Sequence, residues 1–397
     1  MRIDDLTGRR IASGSVRQFD FPNLKRVVYG QEALGELGAE VRRLHGTRVL
    51  LITSRSTAAN SELTRLVRSS LGSLLVAEFR DAAAHVPLAT VRVATAMARE
   101  AGADLVVSLG GGSPIDCGKA VALCAPSTES VEVTLARTVV DTGVTAVGDI
   151  EHAPLPQVTI STTLSAAEFT PTFTVTSEIA RAKIMYHDPR VTPSTVILDP
   201  FAAKGTPSWL WAASGVRAID HCVEWYLSAA RTPFTDALAI SALQMLWRAL
   251  PTAVNDPDDL DARQECQLAA WMSVYGSSNV LGGLSHAIGH QLGSNTGMPH
   301  GYTSCVILPH VIEFNAHAVG DRVAALAGAV GLPDDDLANG LRRLLDGLGM
   351  PSTISQATDS VPDLSAIAEA TMMEVAIVNN PREVTIEDVQ RILEQAH

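Results

Sequence analysis

The stretch ADLVVSLGGGSPIDCGKAVAL, residues 103–123, decides the fold of the first half of the chain. A continuous apolar run, typical of a strand buried on both faces of a sheet, leads into three glycines and then into a helical pattern. Ser113 is a good N-cap residue, Pro114 suits the first helical position, and Asp116 stands three residues after the cap. The stretch therefore predicts a strand, a tight glycine turn and a helix.

This glycine turn is a candidate phosphate-binding site. Glycines at positions 110–112 let the backbone approach a ligand closely. The free N–H groups and the positive dipole end of the following helix favour a phosphate or pyrophosphate. The motif is neither G-x-G-x-x-G nor a Walker loop, so a purely structural turn is an equal alternative on the local pattern.

Strands and helices alternate up to about residue 200, and helices alone follow. Strands are predicted at 48–54, 73–79, 156–162 and 194–200, with helices at about 60–71 and 88–101 between them, and further helices at 212–229, 233–250 and 262–276. Continuous rather than alternating apolar strands predict a parallel sheet covered on both faces. We therefore expect an α/β domain over residues 1–200 and an all-helical domain over residues 201–397.

Composition excludes several classes of partner. Hydrophobic residues make up 46% of the 397 residues and charged residues 18%, which excludes disorder as the main state. The net charge of −13 disfavours nucleic acid and anionic membranes, because both would repel the chain. It leaves room for a small anionic ligand, because one local cluster of cations or helix N-termini binds such a ligand.

Cysteine usage and the N-terminus indicate a cytoplasmic protein. The five cysteines form no C-x-x-C pair, so neither a disulfide framework nor a zinc ribbon is expected. The initial segment MRIDDLTGRRIASG has no apolar core and is not expected to be a secretory signal. No unbroken apolar run is long enough to span a bilayer, which takes about 18 residues.

Four of the eleven histidines form a candidate site. His286 and His290 stand at i and i+4 in GLSHAIGHQLG and so share a helix face, His300 follows a loop in TGMPHG, and His221 lies on an earlier predicted helix. Converging imidazoles suit a divalent metal or acid–base chemistry. For each histidine alone, a capping or core role is the simpler interpretation.

Several motifs in this order resemble the iron-containing (group III) alcohol dehydrogenase superfamily, from about residue 21 to residue 396. They are GGGSPID with GKA, TISTTLSAAEFT, Lys183 five residues before Asp188, GLSHAIGHQLG, MPHG, ILPHVIEFN and NNPREVT. The resemblance implies a dinucleotide-binding α/β domain and an all-helical domain, as in dehydroquinate synthase, with the active site between them. It also implies hydride transfer between NAD(P)H and a carbonyl, and a homodimer.

The resemblance also assigns cofactor-binding residues. It implies pyrophosphate binding at Gly111, Gly112 and Ser113, with Asp116 nearby, and places Thr162, Thr163 and Lys183 toward the nicotinamide. A carboxylate at the end of the strand before Arg55 usually discriminates against NADP. Here that strand ends without one. We therefore expect both NADH and NADPH to be accepted.

The main departure from the family concerns its metal. The family holds a metal with one aspartate and three histidines, which here correspond to His221, His286 and His300, but the aspartate position is Arg217. Arg217 and His221 share a helix face, whereas Asp220 should point about 100° away from His221 and should not replace the missing ligand. A guanidinium cannot bind a cation, so the sequence predicts a metal-independent site.

Such a site resembles that of the maleylacetate reductases, a metal-independent branch of the superfamily. AAAHVPL around His85 and KIMYHDPRVTPSTVILDP resemble the same branch. In this interpretation Arg217 anchors an anionic group of the substrate and supplies positive charge. His290 is the expected proton relay, with His221, His286 and His300 as the other candidate donors.

Three hypotheses from different classes stay open. The first is a metal-free NAD(P)H-dependent reductase of a small carboxylated ketone or enone. The second is a metal-dependent alcohol dehydrogenase that uses His221, His286 and His300. The third is a lyase or NAD-binding descendant that has lost redox turnover, which the unusual Arg217 and Ala166–Ala167 motivate.

Overall fold

The structure, a computed structural model, describes residues 18–138, 150, 152–177, 182–333 and 336–397. The segment MRIDDLTGRRIASG lies outside these residues. Contacts divide the chain into an α/β unit, Pro22–Thr206, and a helical unit, Pro207–His397, which includes the described residues up to Phe21. The boundary lies after the predicted residue 200, because Ala202 packs in the core beside the sheet and Thr206 Oγ1 donates to the Thr162 carbonyl at 2.6 Å.

The α/β unit is built on a parallel sheet. The strands of the described chain are β1 (Arg26–Tyr29), β2 (Val49–Thr53), β3 (Leu75–Phe79), β4 (Leu105–Gly110), β5 (Gln157–Ser161), β6 (Thr172–Ser177), β7 (Ala182–His187) and β8 (Thr195–Leu198). Six of them form the sheet in the order β1-β8-β5-β4-β2-β3, with every neighbouring pair parallel. The predicted parallel sheet is confirmed.

Both faces of this sheet are covered by helices. The α/β unit contains α1 (Leu37–Arg43), α2 (Arg55–Ala58), α3 (Ser61–Leu71), α4 (Leu88–Glu100), α5 (Gly112–Cys124), α6 (Val131–Ala136) and α7 (Pro200–Lys204). Leu50 and Ile52 of β2 belong to one buried cluster, and Val49 and Leu51 belong to another. Successive side chains of a strand point to opposite faces, which explains why β2 is apolar from Val49 to Ile52.

The antiparallel hairpin β6–β7 was not predicted from the sequence. It pairs Thr172 with His187 and Ser177 with Ala182, and the ring of Phe173 stacks on Tyr186 with a centroid distance of 5.4 Å. The short edge strand β1 was not predicted either. Both lie outside the regular alternation of strand and helix that the prediction followed.

The helical unit consists of α8 (Ser208–Leu227), α9 (Pro233–Asn255), α10 (Leu260–Val274), α11 (Ser277–Val280), α12 (Leu284–Thr296), α13 (His300–Ala329), α14 (Leu337–Gly347), α15 (Ile354–Ala357), α16 (Leu364–Thr371) and α17 (Ile386–Ala396). The described residues from 207 onward contain no strand. The predicted all-helical second half is therefore confirmed, and α8, α9 and α10 correspond to its three predicted helices.

Among the described residues, one helix meets the length and composition of a membrane span, although the sequence contains no unbroken apolar run of that length. In α9, the apolar window has a mean hydropathy of 1.3 and 39% of it is buried. Leu243, Leu246 and Leu250 of this helix are fully buried, and the helix packs against α8 and α10. In this structure α9 is a core helix of the helical unit.

A stability prediction arises at the end of α1, where His45 has a φ of 62°. The His45 N–H bonds to the Arg42 carbonyl and the Gly46 N–H to the Val41 carbonyl, an arrangement that favours glycine at the left-handed position. We expect His45→Gly to raise the free energy of unfolding by about 0.5–1 kcal/mol. Arg42→Gly, inside the same helix, should lower it by about 1 kcal/mol. A loss of stability in His45→Gly by urea denaturation would contradict this.

Candidate functional site

The glycine turn joins β4 to α5. Gly110 has a φ of 146°, and Gly111 is the N-cap of α5 in an extended conformation with no side-chain cap. The prediction that Ser113 caps the helix and Pro114 begins it is therefore wrong, because the helix starts two residues earlier, at Gly112. Pro114 is tolerated in this first turn because its missing N–H would have no helical partner there.

Thr162 and Thr163, which the resemblance places toward the nicotinamide, lie beside this turn. The Thr162 N–H donates to the Gly110 carbonyl at 3.0 Å. A Cβ at Gly111 would come within 2.9 Å of Thr163 Cγ2. Glycine therefore leaves open a backbone cradle that any other residue would fill, as a close approach to a phosphate group requires.

Asp116 and Lys183 lie close to the first turns of α5. Asp116 does not cap the helix, because its Oδ2 accepts bonds from the backbone N–H and hydroxyl of Thr174 at 3.2 and 3.3 Å. Burial raises the pKa of Asp116, and the charges of Lys119 and Lys183 oppose that shift. Lys183, which lies on β7, is therefore within electrostatic range of the helix that begins at the glycine turn.

A buried pair of charged residues supports the turn and was missed at the sequence level. Lys119 donates to the carbonyls of Ala167 at 2.6 Å and Thr172 at 2.7 Å, and Glu168 accepts a bond from the Ser161 hydroxyl at 2.5 Å. Lys119 lies in the motif GKA and Glu168 in AAEFT, and both motifs belong to the family resemblance. That resemblance could have identified the two residues. Ala166, where the family has glycine, adopts a left-handed φ of 59°.

The four candidate histidines form a row in the helical unit. His221 comes from α8, His286 and His290 come from α12, and His300 is the first residue of α13. Ring centroids are 5.0 Å apart for His221 and His286, 6.3 Å for His286 and His290, and 5.7 Å for His290 and His300. The structure therefore brings together all four residues that the sequence singled out.

Arg217 lies close to this row. Its Nη1 donates to Asp220 Oδ2 at 3.3 Å and to the Ser304 hydroxyl at 3.1 Å, and its side chain is 11% exposed. Its Nε and Nη2 make no hydrogen bond to any residue that the structure describes. One edge of the guanidinium is therefore fixed, and the other keeps donors that suit a carboxylate.

Burial and the positive charge of Arg217 act on the neighbouring imidazoles. Burial lowers the pKa of His286 well below 6.5, and Arg217 lowers it further. The pKa of His221 is lowered by burial first, then by His286 and Arg217. Both rings are therefore neutral near pH 7. His290 has a side chain that is 25% exposed and is better placed to exchange protons with water.

Asp220, which was expected to point about 100° away from His221, lies within the site through its contacts with Arg217 and His286. Its Oδ2 meets Arg217, and its Oδ1 lies 3.8 Å from His286 Nδ1. The angle of about 100° between adjacent residues applies to side chains of the same helix. His286 belongs to α12 and approaches Asp220 from outside α8. The hydroxyls of Ser285 and Ser304 also donate to Asp220 Oδ2, at 3.0 and 2.6 Å.

Glu224 is a functional residue that sequence reasoning missed. It accepts the backbone N–H groups of Gly283, Ser285 and His286 at 3.1, 2.6 and 3.2 Å, and its Oε2 lies 2.5 Å from His286 Nδ1. Burial raises the pKa of Glu224 to about 7. It thus caps the start of α12 and orients His286, whose buried Nε2 has no hydrogen-bond partner among the described residues.

Comparison with known proteins agrees with this geometry. Residues 24–200 match the family described as iron-containing alcohol dehydrogenase, and residues 211–397 match the C-terminal part of the Fe-containing alcohol dehydrogenase family. The chain is 33% identical over 372 residues to maleylacetate reductase 2 of Cupriavidus pinatubonensis, covering 94% of each chain. It is 28% identical over 382 residues to the NAD-dependent methanol dehydrogenase of Bacillus methanolicus, covering 93% of this chain and 97% of that protein.

A solved structure shows the same architecture. Maleylacetate reductase from Agrobacterium tumefaciens matches with a TM-score of 0.80 and 28% identity, covering 96% of this chain and 98% of the other. Both halves of the chain match one family, and the relatives span nearly its whole length. The chain is therefore an oxidoreductase that uses a nicotinamide cofactor. It belongs to the iron-containing alcohol dehydrogenase family and, within that family, to the maleylacetate reductase branch.

Proposed function

We propose that the enzyme is an NAD(P)H-dependent reductase that transfers hydride to the carbonyl or enone of a small carboxylated substrate, as a maleylacetate reductase does, without a metal ion. The observation that carries the proposal is Arg217, a buried cation with two unengaged nitrogens, at the position of the family's metal-binding aspartate. We further propose a cytoplasmic homodimer that binds neither nucleic acid nor membrane.

The site does not fit the family's metal, because Arg217 puts a positive charge at the ligand position beside His221, His286 and His300. A second group of possible ligands lies next to it. Asp220, Glu224 and His286 offer atoms within 4.8 Å of one another. However, Glu224 and His286 Nδ1 bond to each other, and Asp220 is neutralised by Arg217. A divalent cation would have to displace these contacts beside a fixed positive charge, which Coulomb repulsion opposes.

The α/β unit fits a dinucleotide. The open cradle at Gly111 and the N-terminus of α5 suit a pyrophosphate, and Lys183 supplies a nearby positive charge. When bound, the reduced nicotinamide supplies a hydride to the substrate carbon. The chain's own residues have to bind the anionic substrate and provide charge and a proton for its oxygen.

Arg217 binds the substrate, and His290 donates the proton. The Nε–Nη2 edge of Arg217 holds a carboxylate of the substrate through two charge-assisted hydrogen bonds. As hydride adds to the carbon, the π electron pair moves to the oxygen, and His290 gives that oxygen a proton. His221 and His286 stay neutral because of burial, which leaves them hydrogen-bonding rather than acidic roles.

Steady-state kinetics with Arg217→Met tests the anchor. Loss of a bidentate carboxylate contact should raise KM for maleylacetate about 100-fold, while a small aldehyde without a carboxylate should be affected much less. Arg231→Met, on a partly buried ion pair with Asp236 elsewhere in the helical unit, is the matched control. Unchanged KM for maleylacetate in Arg217→Met would overturn the anchor role, and oxidation of NADH with uncharged substrates alone would overturn the substrate class.

Cofactor preference gives a second prediction. Arg55, the first residue of α2, pairs with Asp81 just after β3. The hydroxyl of Thr57, in the same helix, lies 3.5 Å from where a Cβ on Gly110 would stand. Asp81→Asn should free Arg55 for a 2′-phosphate and increase the affinity for NADPH relative to NADH about tenfold.

Fluorescence titration with both cofactors measures this ratio. Asp321→Asn changes the same charge at an exposed position of the helical unit and serves as the control. An unaltered ratio in Asp81→Asn would show that the Arg55–Asp81 pair does not contact the ribose end of the cofactor.

A further inference from the structure

Glu374 lies against His290 although 84 residues separate them. His290 Nδ1 is 3.4 Å from Glu374 Oε2, and Gln291 Nε2 donates to Glu374 Oε1 at 2.6 Å. The Glu374 side chain is 20% exposed. Burial disfavours its charged form, but the hydrogen bonds from His290 and Gln291 outweigh that effect and lower the pKa of Glu374. It is therefore an ionised acceptor held between two neighbouring residues of α12.

An ionised carboxylate constrains an imidazole in one way. It accepts hydrogen bonds and cannot donate them, so it favours the tautomer that carries the proton on the nitrogen facing it. In His290 that nitrogen is Nδ1. Nε2 lies on the opposite side of the ring and makes no hydrogen bond within the described part of the chain. The geometry therefore leaves Nε2 as the nitrogen that meets a ligand.

We propose that Glu374 is a positioning residue that keeps the Nδ1–H of His290 on its carboxylate, so that Nε2 is the nitrogen that takes up a proton from water and then delivers it to the substrate oxygen. The catalytic part of this inference rests on the proposed function. Hydride forms the new C–H bond, the C=O π pair becomes an oxygen lone pair, and the Nε2–H bond of the imidazolium, formed beforehand with a proton from water, breaks as the O–H bond forms. The ring left behind is neutral and keeps Nδ1–H on Glu374. This arrangement parallels the orientation of other functional histidines by carboxylates.

The direct test is the tautomer of His290, measured by NMR on the full chain labelled with ¹⁵N-histidine at about pH 8, where an ordinary imidazole is neutral. His290→Gln identifies the resonances by their loss. We expect the wild type to show a protonated Nδ1 and an unprotonated Nε2, and Glu374→Ala to shift the population toward Nε2–H. Glu369→Ala, an exposed residue of α16, should leave the tautomer unchanged.

Kinetics supply the functional readout. Glu374→Ala should lower kcat about 10–100-fold with KM for the carboxylated substrate changed less than about threefold, and Glu374→Asp should recover part of kcat. An Nε2–H tautomer in the wild type, or no tautomer shift in Glu374→Ala, would overturn the inference. The NMR experiment needs no substrate. It therefore tests the role of Glu374 even if the enzyme does not reduce carboxylated substrates.

Discussion

Arg217→Asp should convert the helical unit into a metal-binding protein. The substitution removes a buried cation and restores the carboxylate that the family places four residues before His221. With an effective dielectric of about 20, a charge reversal at about 5 Å from a divalent ion changes the Coulomb energy by on the order of 10 kcal/mol, before the cost of desolvation is subtracted. We therefore expect Zn²⁺ to bind at least about 1000-fold more tightly than in the wild type, as measured by calorimetry and by metal content after dialysis.

Two further variants separate the contributions to this gain. Arg217→Met removes the cation without adding a ligand and should give an intermediate affinity. Arg248→Asp, on an exposed ion pair, introduces the same charge change away from the row of histidines and should have no effect. Tight Zn²⁺ binding by the wild type, equal to that of Arg217→Asp, would contradict the claim that Arg217 excludes the metal.

Gly283→Ala should be among the most destabilising single substitutions in the helical unit. A Cβ at Gly283 would stand 2.5 Å from Oε1 and 2.7 Å from Cδ of Glu224. The carboxylate cannot retreat without losing its three backbone N–H donors and His286 Nδ1. We expect a loss of about 2–4 kcal/mol in the free energy of unfolding, together with loss of activity as His286 shifts.

Urea denaturation with a double-mutant cycle checks this mechanism. Glu224→Asp shortens the side chain, so the combination with Gly283→Ala should be less destabilising than the sum of the single variants. Gly328→Ala, on α13 where a Cβ meets open space, is the control and should be neutral or slightly stabilising. Strict additivity of the two substitutions would show that the collision with Glu224 is not the cause.

Local patterns predicted much of the architecture. Largely apolar runs such as 49–53 and 105–109 predicted buried parallel strands, because both faces of the sheet are covered. The spacing of His286 and His290 predicted that they share a helix face, and the family resemblance selected His221 and His300. The start of α5 was misplaced because Ser113 is a better N-cap by preference than Gly111, which caps without a side chain.

The acidic partners of the site could not be read from local patterns. Glu224 meets His286 from another helix, and Glu374 reaches His290 across 84 residues. Asp220 was not expected to take part in the site, because adjacent residues of α8 point in different directions. Its hydrogen-bond partners Ser285 and Ser304 come instead from α12 and α13. Such contacts depend on how the helices pack, which residue spacing along one helix does not determine.

The most direct test of the account is activity after metal removal. The purified enzyme is dialysed against a strong chelator and assayed by loss of reduced-nicotinamide absorbance with maleylacetate, then assayed again after addition of Zn²⁺ or Fe²⁺. We expect equal rates in all three conditions, because Arg217 and His290 provide the charge and the proton. Activity that disappears with the chelator and returns with either metal would contradict it and favour a metal-dependent alcohol dehydrogenase built on His221, His286 and His300.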